Sequence, residues 1–347
     1  MLADHVDLAG LRHHGDVEAL PGLLDFAVNV QGSAPPPWLR ERLAAALDDL
    51  GKYPSAADDR AAREAVAARH GIAADQVLTL AGGAEGFALL PRLRPRLAAV
   101  VHPSFTEPEL ALREAGVAVT RVVLEPPYSL DPALVPDEAD LVIVGNPTNP
   151  TSVLHPAQTL RALRRPGRIV VVDEAFMDAV PGEPESLAAE AGAGLLILRS
   201  LTKTWALAGL RCGYMLGEPG VLQRLVQGRA HWPLGTLQLT AIAATASPRA
   251  VTESVDRAQR IAADRAAMAA RLTETGVRVG SPAAAPFLLL EVPDGELVRK
   301  QLRMAGVAVR RCDTFPGLGP DHLRVAVRAE SDVDRLVDAL SAAGVSG

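Results

Sequence analysis

The stretch LVIVGNPTNPTSVLHPAQTLRALRRPGRIVVVDEAF (residues 141–176) decides the fold class of this chain. Its two ends, 141–146 and 168–174, are rich in Val, Ile and Leu, which is typical of strands covered on both faces. The segment between them, PAQTLRALRR, is compatible with a helix. A strand, a helix and a second strand in this order predict a parallel β–α–β unit with a right-handed crossover.

The same alternation extends over the first two thirds of the chain. Further apolar runs are QVLTL (76–80), LAAVVH (97–102), GLLILRS (194–200) and GYMLG (213–217). After about residue 245 the pattern changes to one long helical stretch followed by FLLLEV, VAVRRC and HLRVAV. We therefore predict an α/β protein with a mostly parallel sheet, followed by a smaller α+β domain.

Composition excludes several functional classes. The formal net charge is −6 and there is no long basic run, which argues against a nucleic-acid partner. No apolar stretch reaches the roughly 18 residues of a membrane span and no apolar signal core is present, so we expect a cytoplasmic location. The two cysteines, Cys212 and Cys312, are too few for a four-ligand zinc site, and we predict packing roles for them and no metal site.

Polar residues directly after the apolar runs are the candidates for chemistry. Four such places are AGGAEG (81–86), GNPTNPTS (145–152), DEAF (173–176) and SLTK (200–203). Ligands of open α/β sheets bind beyond the carboxyl ends of the strands, so these residues are expected to converge on one pocket. The glycine-rich turn is either a phosphate site or simply a tight turn, and its spacing differs from the dinucleotide fingerprint G-x-G-x-x-G.

Lys203 and Asp173 suggest a particular ligand when they are considered together. Lys203 is one of only three lysines in the chain, and a lone lysine is usually a surface residue, just as a lone Asp173 is usually a cap or an ion-pair partner. A buried amine can condense with a carbonyl, and a buried carboxylate can keep a pyridinium protonated. An aldehyde, a pyridinium nitrogen and a phosphate are the three groups by which a protein can bind pyridoxal 5′-phosphate. Lys203 and Asp173 suit the first two, and the glycine-rich turn (81–86) suits the third.

The order of the motifs G-x-x-E, N-P-x-N-P-T, D-E-A-F, S-x-T-K and G-L-R-x-G-Y resembles the fold-type I, aspartate-aminotransferase-like enzymes that use this cofactor. Within them it resembles the branch shared by histidinol-phosphate aminotransferases and the threonine-phosphate decarboxylases of cobalamin biosynthesis. The resemblance extends from about His14 to the last helix. It implies a seven-stranded-type sheet in a large cofactor-binding domain (38–245), a small α+β domain (246–347), and an N-terminal segment (1–37) that packs on the small domain.

The resemblance also implies site residues. It places the covalently bound lysine at Lys203 and the pyridinium partner at Asp173. The remaining cofactor contacts fall on Asn149 for the phenolic oxygen, on Phe105 for ring stacking, and on Gly83, Ala84, Ser200, Thr202 and Arg211 for the phosphate. A homodimer is implied too, in which Tyr53 reaches the phosphate of the neighbouring subunit; a structural tyrosine is the alternative.

Substrate contacts are implied near both ends of the chain. Arg310 and Arg324 fall on two substrate arginines, of which Arg324 would hold the carboxylate; Arg310 could equally be a surface residue. His14 is a candidate contact for a substrate phosphate or a structural histidine. Two positions depart from the family: Ser152 replaces a glycine, which is expected to loosen the turn and displace Asn149, and Phe176 replaces the tyrosine of the aminotransferases.

The sequence favours decarboxylation over transamination. Phe176, the RHHGD opening and the Arg310–Leu318 pattern all resemble the decarboxylases, so the first expectation is a lyase acting on threonine phosphate or serine phosphate. The alternative is a histidinol-phosphate-type aminotransferase that uses 2-oxoglutarate. A third possibility is a regulatory relative without turnover; such proteins carry an N-terminal DNA-binding module, and we expect none here.

Overall fold

The computed structural model describes residues 8–345, so residues 1–7 of the predicted N-terminal segment and 346–347 of the predicted small domain lie outside the described residues. The strands are β1 (Leu24–Asp25), β2 (Val77–Leu80), β3 (Leu97–His102), β4 (Ala118–Val123), β5 (Leu141–Gly145), β6 (Ile169–Asp173), β7 (Leu195–Ser200), β8 (Gly213–Leu216), β9 (Arg278–Val279), β10 (Phe287–Glu291), β11 (Val307–Ala308), β12 (Arg310–Arg311) and β13 (His322–Ala326). The helices are α1 (Leu8–Leu11), α2 (Pro37–Ala45), α3 (Ala56–His70), α4 (Gly83–Leu89), α5 (Glu107–Glu114), α6 (Ala157–Ala162), α7 (Pro219–Val226), α8 (Thr236–Thr245), α9 (Pro248–Glu274), α10 (Gly295–Met304) and α11 (Glu330–Ala342).

Seven strands form the large sheet, in the order β2-β8-β7-β6-β5-β3-β4. Neighbours pair in parallel except β8, which runs antiparallel to both β2 and β7. The central strands are buried along their lengths, because their Val, Ile and Leu side chains are covered on both faces. The predicted mostly parallel, seven-stranded sheet is confirmed.

The register of the central strands brings their carboxyl ends level with each other. Gly145 pairs with Asp173, and Asp173 pairs with Leu198 on the next strand. Ser200 closes β7 opposite Gly213. The polar residues after these strands therefore emerge along one edge of the sheet.

The C-terminal part builds a second, four-stranded antiparallel sheet with the order β12-β13-β10-β9. The N-terminal segment joins this part of the molecule, because β1 pairs in parallel with β11. The long helix α9 precedes the small sheet and contributes Met268 and Leu272 to the core beneath it. Cys212 and Cys312 are both buried, as expected of packing residues. No helix within residues 8–345 is long and apolar enough to cross a membrane.

A buried charge cluster supports the ends of β6 and β7. Arg199 donates to Glu174, to Asp178 at 2.6 Å and to Glu183 at 2.5 Å. Arg199 lies between Leu198 and Ser200 in β7, so its side chain points to the face of the sheet opposite to theirs. The cluster therefore supports the strand ends on the face of the sheet that Arg199 occupies. The other face, which carries Leu198 and Ser200, is left to the cavity.

Candidate active site

A cavity of about 370 Å³ opens at the carboxyl ends of the central strands. The polar residues that follow these strands converge there, because parallel neighbours end at the same edge. Of the thirteen residues proposed from the sequence, twelve line this cavity: His14, Gly83, Ala84, Phe105, Asn149, Asp173, Ser200, Thr202, Lys203, Arg211, Arg310 and Arg324. Tyr53 does not line it.

Lys203 follows β7 in a short loop that contacts the N-terminal segment. Its backbone carbonyl accepts a hydrogen bond from Gln31 N–H at 2.9 Å, which ties the loop to that segment. Burial, together with the cationic Arg324 and Arg211, lowers the pKa of Lys203 to about 8. A substantial fraction of this amine is therefore neutral, and nucleophilic, near physiological pH.

Asp173 ends β6 at the wall of the cavity. Ala175 N–H donates to its Oδ1 at 3.1 Å, and within residues 8–345 no cationic side chain forms an ion pair with it. Burial raises the pKa of Asp173 to about 7, while the Ala175 hydrogen bond opposes this and the charge of Glu174 adds to it. A carboxylate in this environment is stabilised by a cationic or N–H-bearing ligand in the cavity.

Hydroxyl, guanidinium and backbone N–H groups gather on another wall. Ser200 Oγ lies 2.7 Å from Thr202 Oγ1. Gly82 precedes α4 with φ +84, and a Cβ there would lie 2.9 Å from Arg211 Nη2, so this position requires glycine. Gly83 and Ala84 form the first turn of α4 beside it. The combination is suited to an anion with several oxygens.

Two arginines, Arg324 and Arg310, also line the cavity. Arg324 Nη1 donates to Asn149 Oδ1 at 2.5 Å and its Nη2 donates to the Ala27 carbonyl, whereas its buried Nε has no hydrogen-bond partner among residues 8–345. Because a guanidinium only donates, Asn149 must present its amide oxygen to Arg324 and retains its NH₂ for another acceptor. Arg310 is buried too; its Nη2 donates to the His13 carbonyl at 2.7 Å and to Thr314 Oγ1 at 2.8 Å. Neither arginine is paired with a carboxylate within the described residues, so both can bind a substrate anion.

Phe105 and His14 lie together at the rim, with ring centroids 5.4 Å apart. His14 Nε2 lies 2.6 Å from Glu107 Oε1, and this hydrogen bond lowers the pKa of Glu107. Glu107 was not identified from the sequence. Ser104 and Phe315 were not proposed as site residues either, although both line the cavity. Ser104 follows β3, so the rule of strand carboxyl ends could have found it.

Tyr53 lies on the surface, 74% exposed, and stacks on Trp232 with ring centroids 4.1 Å apart. The two departures from the expected pattern are both buried. Ser152 adopts φ +65, and its N–H donates to the Thr148 carbonyl at 2.8 Å, so the turn is closed despite the missing glycine. Phe176 packs on Phe287 with ring centroids 5.0 Å apart.

The sequence model of aminotransferase class I and II matches residues 21–340. The chain belongs to this family. A histidinol-phosphate aminotransferase of Mycobacterium tuberculosis is 58% identical over 327 residues, which cover 94% of this chain and 90% of that protein. The threonine-phosphate decarboxylase of Salmonella typhimurium is 30% identical over 336 residues, covering 92% and 90%. Among solved structures, the histidinol-phosphate aminotransferase of Clostridium acetobutylicum has a TM-score of 0.85 at 24% identity and covers 92% of this chain and 98% of its own, which supports the fold.

This aminotransferase-family protein is a pyridoxal-phosphate-dependent enzyme. The cavity fits the cofactor on three independent observations. Lys203 is a buried amine with a lowered pKa, Asp173 is a carboxylate without a cationic side-chain partner, and Gly82 leaves room beside Arg211. These groups match an aldehyde, a pyridinium and a phosphate respectively. The expected cofactor, pyridoxal 5′-phosphate, is thereby confirmed.

Proposed function

We propose that the protein is an aminotransferase of the histidinol-phosphate type, which moves an amino group between a small phosphorylated amine and 2-oxoglutarate. The observation that carries the reaction type is the 58% identity to histidinol-phosphate aminotransferases over 94% of the chain. The sequence alone favoured decarboxylation, and the comparisons support the second of the two reactions better.

Each residue role in this proposal follows from the chemistry of its side chain. Lys203 Nζ binds the aldehyde carbon of the cofactor covalently, and its lowered pKa favours the neutral amine that this requires. Asp173 holds the proton on the ring nitrogen, and the free NH₂ of Asn149 donates to the phenolic oxygen. Held by these residues, pyridoxal phosphate would supply an acceptor for the electron pair released at the substrate Cα. Lys203 Nζ is the amine in the cavity that would move the Cα proton.

The cavity wall with Arg324 and Arg310 provides the substrate contacts in this proposal. Arg324 is fixed by Asn149 and by the Ala27 carbonyl, so it binds a carboxylate in a constant orientation. Arg310 is held by His13 and Thr314 and is available for a second anion. In the proposed homodimer, Tyr53 reaches the neighbouring cavity; its 74% exposure and its position outside the lining of its own cavity support this arrangement.

Reductive labelling tests the role of Lys203. Borohydride treatment of the cofactor-loaded protein is expected to fix the cofactor on the peptide that contains Lys203. The chain has only two other lysines, the exposed Lys52 and Lys300, so Lys52→Ala and Lys300→Ala are matched controls that should still label. Labelling that survives Lys203→Ala would overturn the assignment.

A second candidate function is the decarboxylation of threonine phosphate. Phe176 favours it, because a buried phenylalanine cannot offer the hydroxyl that aminotransferases of this branch place there. Two parallel assays separate the reactions: glutamate formed from histidinol phosphate and 2-oxoglutarate, or the reverse, and carbon dioxide released from threonine phosphate. Turnover in the first assay alone supports the aminotransferase, whereas turnover in the second alone replaces it with the lyase.

A further inference from the structure

Ser152 occupies a backbone conformation that normally favours glycine. Its φ is +65 and the residue is fully buried. A side chain in this left-handed region is strained, whereas glycine is not. A serine at such a position therefore needs a compensating interaction.

The compensation comes from a segment more than a hundred residues away. The Ser152 carbonyl accepts a hydrogen bond from Ala284 N–H at 2.8 Å, and Ser152 Oγ accepts one from Ala285 N–H at 2.8 Å. Ala285 is completely buried, so without the hydroxyl its N–H would lose its hydrogen-bond partner in the interior. Arg265 of α9 donates to the Ala284 carbonyl at 2.9 Å and fixes the same segment from the other side.

The two joined segments each hold one residue of the candidate active site. On one side, Ser152 N–H and the Thr148 carbonyl close the turn that contains Asn149. On the other side, residues 284–286 lead directly into β10, whose Leu289 pairs with Arg324 of β13. Asn149 and Arg324 then meet in their own hydrogen bond.

We propose that Ser152 is a positioning residue whose hydroxyl fixes the Asn149 turn against the small sheet that bears Arg324. It sets where the Asn149 amide and the Arg324 guanidinium lie relative to each other. In this proposal Ser152 itself contacts neither the cofactor nor the substrate. The inference rests on the proposed roles of Asn149 toward the cofactor and Arg324 toward the substrate carboxylate.

Three variants test it. Ser152→Gly removes the hydroxyl and also relieves the backbone strain; Ser152→Ala removes the hydroxyl and keeps the strain. Arg94→Gly is the matched control, because Arg94 is an exposed residue with φ +55 outside the cavity. The measurements are amide exchange at Ala285 in the cofactor-free protein, the dissociation constant of the cofactor, and KM and kcat separately.

We expect Ser152→Gly to weaken both the hydrogen-bonded segment and ligand binding, although glycine suits this backbone conformation better than serine. In Ser152→Gly, amide exchange at Ala285 is expected to accelerate about tenfold, because a buried N–H is left unpaired. The dissociation constant of the cofactor is expected to rise by roughly threefold to thirtyfold. KM for the carboxylate substrate should rise more than kcat falls, and Ser152→Ala should show the same losses. Arg94→Gly should change none of these quantities.

Two outcomes would overturn the proposal. If Ser152→Gly keeps the wild-type protection of Ala285, the hydroxyl does not hold the segment. If exchange accelerates while cofactor affinity and KM are unchanged, Ser152 is only a structural residue. Amide exchange needs no activity, so a failure of Lys203 labelling would refute the proposed function without deciding this hydrogen bond.

Discussion

Replacing Asp173 with asparagine is expected to stabilise the cofactor-free protein and to disable the enzyme. Burial raises the pKa of Asp173 from 3.8 to about 7, so the folded protein favours the neutral carboxyl group. The charged form therefore lowers the free energy of unfolding, by an amount that is absent below pH 4, grows as the pH rises toward 7, and is constant above it. Asparagine is neutral at every pH, and its Oδ1 can still accept the Ala175 N–H.

The size of the effect follows from the displaced pKa. A rise from 3.8 to about 7 corresponds to at most about 4 kcal/mol. Because the carboxylate faces the cavity and is partly solvated, we expect Asp173→Asn to raise the free energy of unfolding by about 1–3 kcal/mol at pH 8. Turnover should fall on the order of 100-fold, since the ion pair with the ring nitrogen is lost. Urea unfolding of cofactor-free protein between pH 4 and pH 8 measures the first effect.

Asp140→Asn provides a control with the opposite sign. Burial opposes the ionisation of Asp140, but hydrogen bonds from Arg96 N–H and Leu97 N–H outweigh it and lower its pKa. Its charge therefore stabilises the fold at neutral pH, and this variant should be less stable at pH 8 and approach the wild type as the pH falls below 4. Were Asp173→Asn to destabilise the cofactor-free protein at pH 8, or were its difference in stability from the wild type independent of pH, the environment inferred for Asp173 would be wrong.

Three further predictions concern the charge cluster, the glycine-rich turn and the subunit interface. Arg199→Met removes a buried cation that bonds to Glu174, Asp178 and Glu183; the last two keep Arg69, but Glu174 is left buried without a cation among the described residues, so the variant should cost about 3–5 kcal/mol in urea unfolding at pH 7. Gly82→Ala should weaken cofactor binding about tenfold or more, measured by absorbance titration, because a Cβ there meets Arg211 at 2.9 Å and φ is +84; unchanged affinity would contradict the close fit. If Tyr53 serves the neighbouring cavity, mixing inactive Tyr53→Ala with inactive Lys203→Ala protein should restore roughly a quarter of wild-type activity, and no recovery would argue against sharing.

The sheet could be predicted from the sequence because its signals are local. Continuous apolar runs predict β5, β6 and β7. Helix α3 likewise ends where a local rule would end it, at Gly71 with φ +67. Residues at or shortly after the strand ends, such as Asp173 and Lys203, could be assigned to one cavity because parallel strands end at the same edge.

The residues that the sequence did not reveal depend on contacts between distant segments. Glu107 meets His14 across 93 positions, and its role cannot be deduced from the EPELALREAG helix that contains it. The expected loosening of the turn at Ser152 was also an inference from local rules, which penalise a side chain at positive φ. The turn is closed instead, because the hydroxyl bonds to Ala285 across 133 positions. Local propensity was overridden by a tertiary hydrogen bond.

Ser152 and Phe176 depart from the family pattern separately in sequence but at a single place in the structure. Ser152 Oγ accepts from Ala285 N–H, and Phe176 packs in one cluster with Ala285 and Phe287. Relative to an aminotransferase with tyrosine and glycine at these positions, the chain has one hydroxyl fewer beside the cofactor and one more at the joint between the Asn149 turn and the small sheet. Transamination and decarboxylation differ in the orientation of the substrate carboxylate, and Arg324, which stacks over Phe287 at 5.4 Å, adjoins this joint. We therefore expect the choice of reaction to depend on how this joint orients Arg324, and not on the residues that the two reactions share.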